Sequence, residues 1–103
     1  MAQLKVFWTE SAIRQRNFIF EYWIERNQNY NFVKKLNLQI KNVISLLKKN
    51  PELGKQTDFK NTRALIIGNY SILYQKIDNQ IIITGLWDNR QNPNQLLKYL
   101  LKK

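Results

Sequence analysis

Apolar positions along this chain switch between a two-residue spacing and a three-to-four-residue spacing, and each switch marks an element. Leu4-Lys5-Val6-Phe7-Trp8 is β-branched and aromatic and predicts a strand. Thr9 or Ser11 then offers a helix N-cap, with Glu10 near the positive end of the helix dipole. The helix predicted from there to about Arg26 carries Ile13, Phe18, Ile19, Phe20, Tyr22, Trp23 and Ile24, a stripe wider than one buried face needs. Asn27-Gln28-Asn29 is a polar break, with Asn29 as the expected N-cap of a second helix. Val33, Leu36, Ile40, Val43, Ile44 and Leu47 repeat at helical spacing until Asn50-Pro51 stops them. So short a break makes the two helices an antiparallel hairpin.

Glu52 to Asn61 is polar, punctuated by Gly54, and reads as a loop. Arg63–Ile67, Tyr70–Ile77 and Ile81–Trp87 then predict three strands, joined by turns at Gly68-Asn69 and Asp78-Asn79 that tolerate positive φ. Asn92-Pro93 opens a last short helix, with Leu96, Leu97, Leu100 and Leu101 on one side. The fold class expected is α+β, a small β-α-α-β-β-β domain over residues 1–103. Its helical hairpin covers one face of a mainly antiparallel four-stranded sheet. The opposite face is left partly solvated.

Composition narrows the chemistry more than it names it. The 103 residues include 17 Lys+Arg against 7 Asp+Glu, a formal net charge of +10, which favours an anionic partner. Cysteine and histidine are both absent, so thiolate nucleophiles, imidazole bases, disulfides and Cys or His metal ligands are excluded. No cofactor is expected. Any proton transfer falls to Tyr, Lys, Asp or Glu. With no apolar run near the ~20 residues of a membrane span and no signal-like core, no membrane role is expected and a cytoplasmic location is.

The candidate chemistry gathers at the end of the last strand, in Trp87-Asp88-Asn89-Arg90-Gln91-Asn92-Pro93. Arg90 follows a strand end, where a guanidinium can grip a phosphate or carboxylate in bidentate fashion. The competing reading is a salt bridge to Asp88 or a cap on the last helix. Tyr70 and Tyr74 share one sheet face by alternation, as stacking or proton-transfer residues or, in the plainer reading, as core with hydroxyls at the rim. Trp87 is a stacking platform or a lid on the core, and packing is the expected role. Arg63 opens a strand, either at a site or in a half-buried ion pair.

Three segments taken in order carry a resemblance to the RelE/ParE superfamily of toxins from type II toxin–antitoxin modules. They are Val6-Phe7-Trp8-Thr9-Glu10-Ser11-Ala12, Arg63-Ala64-Leu65 leading to Gly68-Asn69-Tyr70-Ser71-Ile72-Leu73-Tyr74, and Ile81 through Pro93. The resemblance implies a toxin neutralised by a cognate antitoxin, of the kind associated with plasmid stabilisation, in a homodimer or a larger toxin–antitoxin assembly. ParE-like members poison DNA gyrase; RelE-like members cleave messenger RNA on the ribosome. In the RelE-like pattern an arginine stands where this chain has Ser71, and lysines stand near Thr62 and Ala64. That set is depleted, leaving Arg63, Arg90 and Tyr74 as catalytic candidates and Arg63, Tyr70, Trp87, Asp88, Asn89 and Arg90 for target or antitoxin binding. Arg63 matches an arginine typical of the ParE-like pattern, and the long aromatic hairpin also resembles that subgroup. A gyrase-directed toxin is therefore expected, with a ribosome-dependent endoribonuclease and a non-toxic nucleic-acid-binding module as alternatives.

Overall fold

The computed structural model describes residues 4–90, so the expected Asn92-Pro93 cap and leucine-bearing last helix lie outside the described residues. The elements are β1 (Lys5–Trp8), α1 (Glu10–Asn27), α2 (Asn31–Lys49), β2 (Lys55–Gln56), β3 (Arg63–Ile67), β4 (Tyr70–Ile77) and β5 (Gln80–Asp88). Thr9 caps α1 by accepting from the Ala12 N–H at 3.1 Å, and Gln28 ends it in the left-handed region at φ 55°. The cap expected at Asn29 falls one residue later, on Tyr30, which makes no side-chain capping bond. Asn29 Oδ1 instead accepts from the Asn31 N–H at 3.0 Å, serving the first of the helix's orphan donors from one position further out. No helix among the described residues is long and apolar enough to cross a membrane.

The α+β class holds, but the sheet has five strands rather than four and is mixed, in the order β1-β5-β4-β3-β2. The added strand is β2, which pairs Lys55 with Ala64 and Gln56 with Arg63 inside the stretch expected to be loop. Its polar sequence has no strand period. Two anchors hold it in place instead. The Tyr74 hydroxyl accepts from the Gly54 N–H and donates to the Pro51 carbonyl, both at 2.8 Å. Arg63 Nη1 donates to the Gly54 carbonyl at 2.7 Å and lies 3.4 Å from that of Glu52.

The core lies between the helices and one sheet face. Leu36, Ile40 and Leu47 of α2 meet Tyr70, Ile72 and Tyr74 of β4 and Ile81, Ile83 and Leu86 of β5, with Ala12 of α1 among them. Tyr70, Ile72 and Tyr74 thus share a face as alternation requires. β5 pairs in parallel with β1 and antiparallel with β4, where Leu73 opposes Gly85 and Tyr74 opposes Ile83. Thr84 is the extra residue of this bulge, its hydroxyl donating to the Leu73 carbonyl at 3.3 Å. The turns use positive φ at Gly68 (58°) and Asp78 (53°).

Burial pushes the Tyr74 phenol above its ordinary pKa of 10.0, the Gly54 hydrogen bond and Arg63 opposing in smaller measure. Tyr74→Phe leaves the Gly54 N–H and Pro51 carbonyl unpaired beside a buried ring. It is expected to destabilise the fold by about 1–3 kcal/mol in urea denaturation, whereas Tyr30→Phe on the surface changes nothing measurable. Gly54→Ala should be at least as damaging, since its Cβ would lie 2.7 Å from the Tyr74 hydroxyl and 2.9 Å from the Ala64 carbonyl.

Candidate functional site

At the other end of β4 the chain opens a groove of about 640 Å3 between α1 and the last residues of β5. Thr9 turns the chain directly from β1 into α1, so the helix lies back across β5. β1 stops at Trp8, opposite Ile83, while β5 continues to Asp88. Beyond that point Gln15 of α1 stands in for the missing strand, its Oε1 accepting from the Leu86 N–H at 2.7 Å. A Cβ on Gly85 would lie 3.2 Å from that oxygen, so a glycine there gives the amide room. Gln15 Nε2 is buried and has no hydrogen-bond partner among the described residues.

Register places Tyr70, the first residue of β4, directly opposite Asp88, the last of β5. Trp23 Nε1 donates to the Tyr70 hydroxyl at 2.7 Å, tying α1 to the sheet at the groove floor. Arg90 then folds back over its own strand end. Its Nε donates to Asp88 Oδ1 at 2.9 Å and its Nη2 to Oδ2 at 2.7 Å, while its backbone N–H bonds Oδ1 at 2.9 Å. The same Nη2 lies 3.4 Å from the Tyr70 hydroxyl. The guanidinium centre is 5.6 Å from the Trp23 ring and 5.8 Å from that of Tyr70, with Arg26 at 5.9 Å from Trp23. Asn89 closes the turn, its N–H donating to the Asn69 carbonyl at 2.7 Å and its Oδ1 accepting from Ser71 at 2.8 Å.

The candidate residues therefore divide between two places. Tyr70, Trp87, Asp88 and Arg90 line the groove, with Asn89 in the adjoining turn, whereas Arg63 and Tyr74 face each other four residues further along β4, roughly 13 Å away at strand spacing. Arg63 makes its bonds to main-chain carbonyls and has no acidic partner among the described residues, so the expected half-buried ion pair is replaced by an anchor for β2. Trp87 is buried and also lines the groove. Sequence reasoning missed Gln15. Its place between Ala12 and Ile19, at helical spacing, was the available signal.

The electrostatics at this site keep the Asp88 carboxylate ionised and the Tyr70 phenol protonated. Burial holds the Tyr70 phenol above its ordinary pKa, and the hydrogen bonds from Trp23 and Arg90 offset this only in part. Asp88 is held below its ordinary 3.8, first by the Arg90 hydrogen bond, and the Arg90 pKa is raised in turn by Asp88. Around this fixed charge pair the groove exposes Phe18 (61%) and Tyr22 (48%), enough apolar surface for a partner's side chains. No cluster of three or more potential metal ligands occurs among the described residues.

A sequence model of one family, described as ParE toxin of type II toxin-antitoxin system, parDE, matches residues 6–93. No curated protein sequence matches. Among solved structures, the chromosomal ParDE TA system from P. aeruginosa has a chain that is similar at a TM-score of 0.71 with 16% identity. The alignment covers 84% of this chain and 96% of that one. At that identity the likeness speaks for the fold.

The Asp88–Arg90 clasp has a definite pH signature. Asp88's folded pKa is depressed, so its contribution to stability is present above the unfolded carboxylate pKa and is lost as pH falls through the folded value. Carbon-13 titration of the Asp88 carboxyl should give a midpoint below 3.8, moving up toward that value in Arg90→Gln. An unchanged midpoint in the variant would mean that the clasp is not formed in solution.

Proposed function

The chain belongs to the ParE toxin family of type II toxin–antitoxin systems, and from that premise we propose that it inhibits growth by poisoning DNA gyrase until a cognate antitoxin neutralises it. The family match over residues 6–93 carries this reading, because it takes in both walls of the groove. The groove supplies what a protein-directed inhibitor needs. Exposed aromatic side chains give buried area on binding, and the Arg90 guanidinium, seated over Trp23 and Tyr70, offers a charged anchor at the rim. The net charge of +10 steers acidic partners, an acidic antitoxin among them, towards this chain.

Ser71 supports a protein target over messenger RNA cleavage on the ribosome. It spends its hydroxyl on Asn89 within the turn. A cation there would be needed to stabilise the charge of a phosphorane.

Induced alone, the protein should arrest bacterial growth, with supercoiling lost and a DNA-damage response while translation continues. Co-expression of the neighbouring antitoxin should restore growth. Codon-phased messenger RNA cuts with supercoiling intact would replace gyrase by the ribosome, and normal growth at confirmed soluble expression would defeat the toxin reading. Arg90→Ala should weaken the target contact by about 2 kcal/mol or more, against a small, salt-sensitive effect of Lys41→Ala on α2. Circular dichroism of both variants separates a lost contact from a lost fold.

A further inference from the structure

Charge is unevenly spread over this fold. α1 carries three acidic and three basic side chains and is formally neutral, whereas residues 31–63 carry eight basic ones against only Glu52 and Asp58. The neutral helix borders the aromatic groove, and the excess lies along α2, β2 and the loop into β3. In that loop a second hollow of about 350 Å3 is lined by residues 56–63 together with Lys76 of β4. Lys60, Arg63 and Lys76 are its cations and Asp58 its one carboxylate, yet none of the three cations is in an ion pair among the described residues.

The backbone of the loop is tied down by its own hydrogen bonds. The Thr57 N–H and hydroxyl both donate to the Thr62 carbonyl, at 3.0 and 2.9 Å, and the Phe59 N–H donates to Thr57 Oγ1 at 3.1 Å. The Thr62 N–H closes a turn onto the Phe59 carbonyl at 3.1 Å, with Asn61 in the left-handed region at φ 56°. Gln75 of β4 donates to Thr62 Oγ1 at 3.1 Å, fastening the loop to the sheet. With the backbone preformed, only the lysine side chains have to be ordered when they meet an anion.

We propose that this hollow binds the sugar–phosphate backbone of a nucleic acid. Unpaired cations around a polar concavity match a chain of phosphates. Lys55 on β2, next in the chain to the lining residue Gln56, adds a further cation beside it. Half-buried Phe59 in the lining adds a ring on which an unpaired base can stack. The surface is separate from the groove, and the inference stands whatever the protein target proves to be.

Fluorescence anisotropy with labelled 20-mers of single-stranded DNA, single-stranded RNA and duplex DNA tests it on the whole chain across a salt series. The double variant Lys60→Gln/Lys76→Gln should bind about five- to twentyfold more weakly at 50 mM salt. Its slope of log affinity against log salt should be shallower by about two, one per lost phosphate contact. Lys34→Gln/Lys35→Gln, which removes the same charge from the start of α2, should cost less than twofold. Arg63 is left intact because it anchors the Gly54 carbonyl. Tighter binding of single strands assigns Phe59 a stacking role, and equal affinities assign the backbone alone; both uphold the hollow. Equal losses from the two lysine pairs, no binding by the unaltered chain, or full displacement by oligo-glutamate of matched charge would each overturn the proposal.

Discussion

Strand β5 outlasts its parallel neighbour, and the architecture at the groove end follows from how that mismatch is resolved. β1 ends opposite Ile83, yet β5 continues to Asp88, so the Leu86 N–H would be left without an acceptor inside the fold. An unmet buried amide costs about 1–3 kcal/mol. Gln15 meets it from α1, which fixes both the depth and the rotation of that helix on the sheet. The rotation sets Trp23, two turns further along the same helix, over the Tyr70 hydroxyl. Tyr70 in turn stands opposite Asp88, whose carboxylate aims Arg90. The groove is thus a consequence of strand length, passed through one helix to one guanidinium.

Tyr70 at the start of β4 and Tyr74 in its middle illustrate how similar residues take different work from their surroundings. Tyr70 and Tyr74 are both buried, face the same side and are each served by an arginine. At Tyr74 the neighbours are carbonyls and an amide of a polar segment that cannot pack by itself, and the result is an anchor. At Tyr70 the neighbours are an indole, a carboxylate and a guanidinium at the mouth of an open groove, and the result is a surface able to bind. An identical pair of residue types is therefore no guide to function without the elements that close around it.

Much of this was legible in the chain. Thr9 as one of two offered caps, the two helices and the Arg63–Ile67 and Tyr70–Ile77 strands follow from local patterns, because alternation and capping are short-range effects; the Asp88–Arg90 bridge, two residues apart, was one of the readings of its turn. What the chain concealed is what depends on distant partners. β2 has two polar residues and no period of its own, and exists because Tyr74 and Arg63 hold the segment before it. The parallel β1–β5 pairing needs the sheet order, which no local pattern encodes. Gln15 looked like an ordinary polar residue in an apolar stripe, and its role depends on where β1 stops. Arg63 drew attention as a cation, yet its acceptors are carbonyls, which leave no mark in a sequence of side chains.

The separation of charge from apolar surface bears on how one small domain can meet two kinds of partner. An aromatic groove bordered by a neutral helix discriminates by shape, and its affinity responds weakly to salt. A positive loop surface responds steeply to salt and discriminates little between sequences. Had the basic residues been scattered evenly, the groove would carry a field attracting any polyanion into its aromatic surface. Eight cations lie within residues 31–63, and α1, which borders the groove, has balanced charge. Arg26 and Arg90 are the two cations that line the groove. Asp88 neutralises Arg90 at close range, and what remains of it for a partner is a directional donor rather than a long-range charge.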